Sequence, residues 1–222
     1  MTVSLISCSK PPNCDKSLQD LVAYCARVSN PANQNNTETN EKLIRYLIDN
    51  NHWSPLEMVS ICLEIETTRD IARQILRHRS FSFQEFSQRY AVADLRFETR
   101  TARLQDKKNR QNSIDTEDEL LRKEWDRAQC VVGEYAMNAY NWAIENGIAK
   151  EQARSVLPEG MTKSRMYMNG TLRSWVHYIQ LRSGNGTQKE HREIAIECAK
   201  AIEPLFPMIM EYLAIENTLK NE

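Results

Sequence analysis

Residues 77–90, Arg-His-Arg-Ser-Phe-Ser-Phe-Gln-Glu-Phe-Ser-Gln-Arg-Tyr, are the most informative stretch of this 222-residue chain. They overlap the end of a predicted helix, 69–79, which Thr68 is expected to cap. Before that helix, a strand is predicted at 59–66 because Ile61, Leu63 and Ile65 recur at every second position. The rest of the stretch, up to Tyr90, is expected to be extended or looped.

Outward from this stretch, the pattern predicts more helices than strands. Further strands are expected at 3–7 and 166–168, and helices at 17–28, 41–50, 116–146, 149–157, 171–182, from 187 to Pro204, and from Pro207 to about 219. Capping boxes are expected at 17–20, 116–119 and 187–190. The helix at 41–50 should bury Leu43, Ile44, Tyr46 and Leu47, whereas the polar stretch 92–113 predicts a long surface excursion. The fold class is therefore α+β: a single helix-rich domain over 1–222 with a small mixed or antiparallel sheet.

The composition excludes several classes of protein. The chain is 41% hydrophobic and 27% charged, with a net charge of -1, which is ordinary for a globular domain. No apolar run approaches the roughly 20 residues of a membrane-spanning helix, and residues 1–16 lack the pattern of a signal peptide. The six cysteines form no CxxC pair and the four histidines no zinc motif, so reduced thiols and no metal are expected. A cytoplasmic protein that does not associate with membranes is the prediction.

Glycine and charge are unevenly distributed. No glycine precedes Gly133, which excludes a glycine-rich phosphate-binding loop in the first 132 residues. Residues 69–110 carry 11 basic and 5 acidic residues, and nine of the basic ones are arginines. If the protein binds a nucleotide, arginine side chains must therefore supply the positive charge.

The basic segment is open to three interpretations. Arg69, Arg73 and Arg77 recur every four residues, as on a solvated face of a helical scaffold. Aromatic, hydroxyl and carboxylate groups in the next ten residues suit an anionic ligand with a flat ring. Alternatively, the cations could follow the phosphates of a single-stranded nucleic acid while the aromatic rings stack on its bases, the rings being Phe81, Phe83, Phe86 and Tyr90.

A second polar stripe lies on the helix predicted at 171–182. Arg173, His177 and Gln180 share one face, and Leu172, Val176 and Ile179 share another that can pack on the core. His177 could be an ordinary surface histidine. Arg182, at the end, could compensate the helix dipole or reach a ligand.

Five separated segments resemble the flavin-dependent thymidylate synthases (the ThyX family) in the family's order. Arg77-His78-Arg79, seven residues and then Ser87 resemble the RHR-x7-S signature, which Ala72-Arg-Gln74 precedes and Glu85-Phe-Ser-Gln-Arg-Tyr90 closes. The other matching segments are His52-Trp-Ser-Pro-Leu-Glu57, Ala153-Arg-Ser-Val-Leu-Pro158 and Leu172-Arg-Ser-Trp-Val-His-Tyr-Ile-Gln-Leu-Arg182.

The resemblance implies the reductive methylation of dUMP to dTMP. In that family 5,10-methylenetetrahydrofolate supplies the carbon, NADPH the reducing equivalents, and bound FAD relays them. The family holds FAD without a Rossmann fold, at sites that several subunits of a homotetramer build together. Small molecules, rather than nucleic acids or membranes, are thus the implied ligands.

Carried over position by position, the resemblance implies two sets of ligand contacts. The dUMP contacts are Gln74, Arg77, Glu85, Phe86, Ser87, Gln88, Arg89, Arg154 and Arg182, the last two from another subunit. The FAD contacts are Ser54, Arg77, His78, Arg79, Glu85, Thr171, Leu172, Arg173 and His177.

Individual roles also follow from the resemblance. Arg182 is the catalytic candidate, at the family position that favours ionisation at the N3 side of uracil. Ser87 has no local His or Lys to activate it, so it is expected to position the ligand rather than attack it. His52 and Tyr90 would lie on the folate side of the flavin. The chain departs from the family at Leu172, where Ala is usual, and at His177, where Asn is frequent.

Overall fold

A four-stranded antiparallel sheet forms the centre of the molecule. The computed structural model describes residues 1–12 and 16–214. The strands are β1 (Thr2–Cys8), β2 (Ser60–Thr68), β3 (Phe81–Glu85), β4 (Arg103–Gln105), β5 (Ser113–Asp115) and β6 (Lys163–Thr171). The main sheet has the order β1-β2-β6-β3, while β4 and β5 pair in a separate hairpin.

Helices supply most of the remaining regular structure. They are α1 (Leu18–Ala26), α2 (Asn40–Asp49), α3 (Arg69–Ile75), α4 (Glu119–Glu145), α5 (Lys150–Ala153), α6 (Leu172–Arg182) and α7 (Lys189–Ile202), with 3-10 turns at Pro31–Asn33, Ser54–Met58, Arg154–Val156 and Pro207–Tyr212. The predicted α+β, helix-rich class is confirmed, and the sheet pairings are all antiparallel. Among the described residues, no helix combines the length and apolarity needed to cross a membrane.

The core lies between one face of the sheet and helices α6 and α7. Ile61, Leu63 and Ile65 of β2 are fully buried, as the alternating pattern predicts. Across the ladder, Ile65 pairs with Met166 of β6. Trp175 of α6 is buried against this face, and its indole Nε1 donates to the Ile61 carbonyl at 3.0 Å. This bond satisfies the one polar group of a large buried side chain and fixes α6 on the sheet.

Several predicted boundaries are wrong. The strand predicted at 166–168 is only the middle of β6, because charged residues and a glycine at its two ends carry no strand signal. The helix predicted at 69–79 ends at Ile75, so Arg77 does not continue the stripe of Arg69 and Arg73. Tyr46, predicted to be buried, is exposed, and Ile48 is buried instead.

Of the three predicted capping boxes, only the first forms. Ser17 and Asp20 cap α1 reciprocally. At α4 the cap is Asp118, whose side chain accepts from the Leu121 amide, and at α7 the cap position is Gln188 without a side-chain bond. Thr68 does stand at the start of α3, but its hydroxyl donates to Asp70 rather than accepting a backbone amide. The last predicted helix extends to about 219, partly outside the described residues; its described part is the 3-10 turn Pro207–Tyr212.

The segment predicted as a surface excursion, 92–113, is instead packed against α4. Leu95 and Phe97 contact a small buried cluster that contains Tyr140. The Tyr140 hydroxyl accepts from the Ala93 amide at 3.1 Å. Within the segment Val92 and Leu104 are exposed, whereas Ala93 and Ala102 are buried.

Candidate functional site

A tight turn after α3 orients the Arg77-His78-Arg79 motif. The His78 amide donates to the Ile75 carbonyl at 3.0 Å, and the Phe81 amide donates to the His78 carbonyl at 3.3 Å. The turn leaves Arg77 and Arg79 exposed, whereas the half-buried His78 points inward. Three consecutive residues therefore present two cations outward and one imidazole inward.

His78 is joined to Arg182, the last residue of α6. Arg182 Nε donates to His78 Nε2 at 2.8 Å, so this imidazole nitrogen is an acceptor and the ring proton is on Nδ1. Burial, reinforced by Arg182 and Arg77, lowers the pKa of His78 to about 4. The ring of Tyr178 meets the His78 ring edge-on, with centroids 4.9 Å apart. The structure thus brings together two predicted site residues that are 104 positions apart in the chain.

The phenylalanines that follow the motif are mainly structural. Phe81 is buried against Trp175 and Tyr178, and Phe83 packs on the same core. A Cβ on Gly170, opposite Phe81 in the ladder, would lie 2.4 Å from the Phe81 ring. The interpretation of Phe81 as a ligand-stacking ring is therefore wrong, because its side chain is part of the hydrophobic core.

An open cavity of about 340 Å³ lies beside the segment that follows β3. Gln88, which is buried, and Arg154 line it, together with Arg69 and Arg73. Arg69 and Arg73 both contact Glu159, at 3.5 Å and 2.5 Å, whereas Arg154 has no carboxylate partner among the described residues. The cavity therefore combines one unneutralised guanidinium with a buried amide.

The neighbouring residues Glu85 to Arg89 are held by local contacts. Ser164 donates to Glu85 Oε1 at 2.6 Å, and Arg69 lies 3.7 Å from the same oxygen. The half-buried Phe86 faces a second cavity, of about 440 Å³. Ser87 Oγ accepts from the Arg89 amide at 3.4 Å, and no His or Lys among the residues that the structure describes bonds to that hydroxyl. A positioning role for Ser87 suits this geometry better than a nucleophilic one.

Most residues predicted to contact FAD gather at the start of α6. Thr171 caps the helix, and Arg173 forms a 2.5 Å ion pair with Glu57, near Ser54 on the same 3-10 turn. The His177 ring packs on the Trp53 ring with centroids 4.3 Å apart and a tilt of 50° between the planes. Burial together with Arg173 lowers the pKa of His177.

Leu172 differs from the rest of this group. Its side chain is completely buried and its amide donates to the Val59 carbonyl. The Leu172 side chain therefore serves the core and is not exposed to a ligand.

The two residues predicted for the folate side remain apart from each other. His52 is exposed and its ring meets Tyr46 at 6.1 Å, whereas Tyr90 is exposed beyond the 340 Å³ cavity, where Lys150 donates to its carbonyl. No contact joins His52 to Tyr90 in the part of the chain that the structure describes.

The predicted site arginines are unusual in lacking acidic partners. Over residues 1–12 and 16–214, no carboxylate pairs with any of four of them: Arg77, Arg79, Arg154 and Arg182. By contrast, Arg89 lies 3.8 Å from Glu151. Guanidinium groups that the protein itself leaves unneutralised are suited to an anionic ligand. The described residues include no group of His, Cys, Asp and Glu that could hold a metal ion.

Sequence reasoning missed the buried groups behind the motif. Tyr178 and His191 are both buried, and His191 contacts Tyr178 and Gln74. Trp53, whose ring packs on His177, was also missed. No signal in the sequence could have paired His191 with Gln74, because they are 117 positions apart.

Comparisons with known proteins cover nearly the whole chain. Residues 13–208 match the family described as Thymidylate synthase complementing protein. A flavin-dependent thymidylate synthase of Synechocystis sp. is 50% identical over 213 residues, which are 94% of this chain and 97% of that protein. A probable flavin-dependent thymidylate synthase of Paramecium bursaria Chlorella virus 1 is 47% identical over 96% of this chain and 99% of its own.

A solved structure has the same fold. It is a UMP/dUMP methylase, PolB, from Streptomyces cacaoi, bound with 5-Br dUMP. Its TM-score is 0.81 at 27% identity, over 95% of this chain and 93% of that chain.

Proposed function

This chain belongs to the flavin-dependent thymidylate synthase family, and we propose that it methylates dUMP reductively to dTMP. The observation that carries the proposal is the set of four arginines without acidic partners, which lie in the family's motif segments. Family membership favours this enzyme over the single-stranded nucleic-acid-binding module and over a helical scaffold.

The nucleotide would be held by side chains of the motif segments, contributed by two subunits. In the proposal its contacts are Gln74, Arg77, Glu85, Phe86, Ser87, Gln88, Arg89, Arg154 and Arg182. Arginine binds phosphate through two parallel N–H donors, and the amides and carboxylate can read the sugar and the base. Arg154 and Arg182 would act on a nucleotide held mainly by a neighbouring subunit.

Arg182 would carry the main electrostatic role. Uracil C5 is a poor nucleophile, and a cationic donor on the pyrimidine edge stabilises the negative charge that develops as C5 reacts. Within residues 1–12 and 16–214 the Arg182 side chain makes one hydrogen bond, from Nε to His78, which leaves both terminal Nη groups available. Because arginine stays charged at any working pH, it needs no proton transfer to do this.

The chemistry of the donor set also fits FAD. The pyrophosphate of FAD is dianionic, and Arg79 and Arg77 are exposed cations without acidic partners. Ser54, Thr171, Arg173 and His177 offer further polar groups in one region, and Glu85 and Leu172 complete the set that the family resemblance implies. FAD would supply the redox chemistry, with NADPH as reductant and 5,10-methylenetetrahydrofolate as carbon donor on the side of His52 and Tyr90.

The enzyme would work as a homotetramer in the cytoplasm, each subunit a single domain. Support for assembly comes from α4, which buries one narrow face within the chain and exposes large apolar side chains elsewhere. The largest exposures are at Leu120, Trp142 and Tyr135, at 70%, 60% and 74%. Apolar exposure on this scale along one helix is typical of an interface between subunits.

The test is the visible absorption spectrum of the purified protein under anaerobic conditions. We expect a flavin spectrum that bleaches on addition of NADPH, faster when dUMP is present, and then dTMP formation when methylenetetrahydrofolate is added. UMP in place of dUMP tests the alternative pyrimidine nucleotide. A colourless protein that also fails to take up FAD would contradict the proposal.

A further inference from the structure

A chain of hydrogen bonds runs behind the nucleotide side of the turn and connects α3, α6 and α7. Its members are Tyr178, His191, Gln74, Gln188 and Glu190. Tyr178 OH lies 3.2 Å from His191 Nε2, and Gln74 Oε1 lies 3.3 Å from His191 Nδ1. Gln74 Nε2 donates to Gln188 Oε1 at 2.8 Å, and Gln188 Nε2 donates to Glu190 Oε2 at 2.9 Å.

Glu190 fixes the direction of every bond in this chain. Its carboxylate forms a 2.5 Å ion pair with Arg103 and lies 3.9 Å from Arg100, and although burial opposes ionisation, hydrogen bonds and these two cations keep its pKa below the usual range. An ionised carboxylate only accepts hydrogen bonds, so Gln188 must present its amide nitrogen to Glu190. Gln188 then presents its carbonyl oxygen to Gln74, which must donate from Nε2.

The donors and acceptors of the other two hydrogen bonds, between Gln74 and His191 and between His191 and Tyr178, are fixed in the same way. Since Gln74 donates from Nε2 to Gln188, its Oε1 faces His191 and accepts from Nδ1–H. His191 Nε2 then lacks a proton and accepts from the Tyr178 hydroxyl. Burial raises the pKa of Tyr178 and lowers the pKa of His191 to about 3, so both groups hold the protonation states that this arrangement requires.

We infer that His191 is a positioning residue which, together with Gln188, holds Gln74 as a hydrogen-bond donor towards the nucleotide. With Oε1 turned to His191 and one Nε2 proton bonded to Gln188, the donor of Gln74 left for a ligand is its second amide N–H. That group can bind only an acceptor, such as a uracil carbonyl or a phosphate or sugar oxygen. His191 itself is completely buried, so it would act through Gln74 rather than on the nucleotide directly. The inference rests on the proposed function, because it takes the nucleotide to be dUMP.

Without His191 Nδ1, Gln74 Oε1 has no donor in the described network, and the bond to Gln188 alone must hold the amide in its orientation. Rotating the amide would present a carbonyl oxygen to the acceptor atoms of the nucleotide and weaken binding. The Kd for dUMP should therefore rise about 5- to 10-fold in His191→Leu, the size expected for one hydrogen bond. In His191→Asn the side-chain nitrogen can occupy the place of Nδ1, so most of the affinity should return.

The experiment is a double-mutant cycle on the flavin-loaded enzyme, with dUMP binding measured by calorimetry. It compares the parent protein, His191→Leu, His191→Asn, Gln74→Ala and the double variant His191→Leu/Gln74→Ala. If His191 acts through Gln74, His191→Leu should have no further effect once Gln74 is alanine. Flavin content and assembly size should be the same in all five proteins.

The outcomes distinguish a failure of the proposed function from a failure of the positioning role of His191. If the parent protein binds no dUMP, the proposed function falls and this inference with it. If the parent binds dUMP but His191→Leu weakens binding equally in the Gln74→Ala background, or if His191→Asn is as weak as His191→Leu, only the positioning role is overturned. Should His191→Leu fail to fold, Gln188→Leu at a half-buried position breaks the same chain one step further along and must show the same dependence on Gln74.

Discussion

At the scale of single residues, the contact between Arg182 and His78 determines what Arg182 can do. A neutral imidazole accepts one N–H and compensates no charge, so the guanidinium is oriented but remains fully cationic. A carboxylate in the same place would have oriented the guanidinium and neutralised it. His78 therefore fixes the orientation of the Arg182 guanidinium without reducing the positive charge that this group can present to a ligand.

Arg182→Ala should leave FAD bound but lower kcat/KM for dUMP about 100- to 1000-fold, the range for removing one preorganised charged donor. Arg79→Ala should instead lower the flavin content of the purified protein. Steady-state kinetics and the visible absorbance check the two expectations. Arg110→Ala, an exposed arginine on the hairpin, is the control and should change neither quantity. Unchanged turnover in Arg182→Ala would remove Arg182 from the mechanism.

The buried histidines also make stability depend on pH. The pKa values of His78 and His191, about 4 and about 3, lie below the ordinary value of 6.5, so the unfolded chain binds more protons than the native one in the window between. The contribution of the two neutral histidines to the free energy of unfolding is complete above pH 6.5 and is lost as the pH falls towards 4. The free energy of unfolding should thus decrease with a slope of up to about 1.4 kcal/mol per pH unit for each histidine, before discounting for solvent.

Urea unfolding at pH 7.5 and pH 5.5 measures this decrease. Asn at position 191 cannot titrate, so the difference between the two pH values should be smaller in His191→Asn than in the parent protein. An equal difference in both proteins would show that other groups cause the acid sensitivity.

At the scale of elements, the packing of β3 on β6 requires a residue without a side chain at position 170. Gly170 of β6 lies under the Phe81 ring, and an added Cβ would lie 2.4 Å from it. Gly170→Ala should therefore displace β3 and lower the free energy of unfolding by about 1–3 kcal/mol, as overpacking does. Gly160→Ala is the matched control, because the nearest atom to its Cβ would be 4.0 Å away. Phe81→Leu in the Gly170→Ala background should restore part of the loss; urea unfolding tests all three variants.

Besides Tyr140, an amide side chain of α4 holds the segment 92–113 at Arg100. Gln129, which is 6% exposed, accepts from the Arg100 amide at 2.8 Å and donates to the Arg100 carbonyl at 2.9 Å. Gln129→Leu leaves two backbone groups without partners, so we expect a loss of about 2–4 kcal/mol in the free energy of unfolding. Gln129→Glu keeps the acceptor and should lose less. Equal stability of Gln129→Leu and the parent protein would contradict this role for the segment.

The elements differ in how far the sequence predicts them. The alternation in β2 and the Ser17-to-Asp20 box were predictable, because their signals are local. The extent of β6 was not, since its pairing with β2 overrides the weak strand preference of its own residues. The motif segments predicted candidate site residues, whereas the bond from Arg182 to His78 and the packing of 92–113 could not be predicted, because they depend on contacts between elements far apart in the chain.

At the scale of the whole molecule, α4 is the element whose apolar surface a single chain leaves largely uncovered. Tyr135→Glu/Trp142→Glu places two charges at exposed positions, so the subunit should fold while assembly is disrupted. Light scattering should report about four times the chain mass for the parent protein and a smaller particle for the variant. Flavin content should fall with assembly if sites are shared between subunits. Lys42→Glu, exposed on α2, is the control and should leave both unchanged.

The order of the strands also has a consequence during translation. The two middle strands of the sheet, β2 and β6, are separated by about a hundred residues, as the pairing of Thr68 with Lys163 requires. At roughly 5–20 residues per second, a ribosome needs about 5–20 s to deliver β6 after β2 has emerged. Throughout that interval β2 has an unpaired edge and an uncovered apolar face, which are features that promote aggregation. The nascent chain is thus most in need of a chaperone after its first third has been made and before its last quarter arrives.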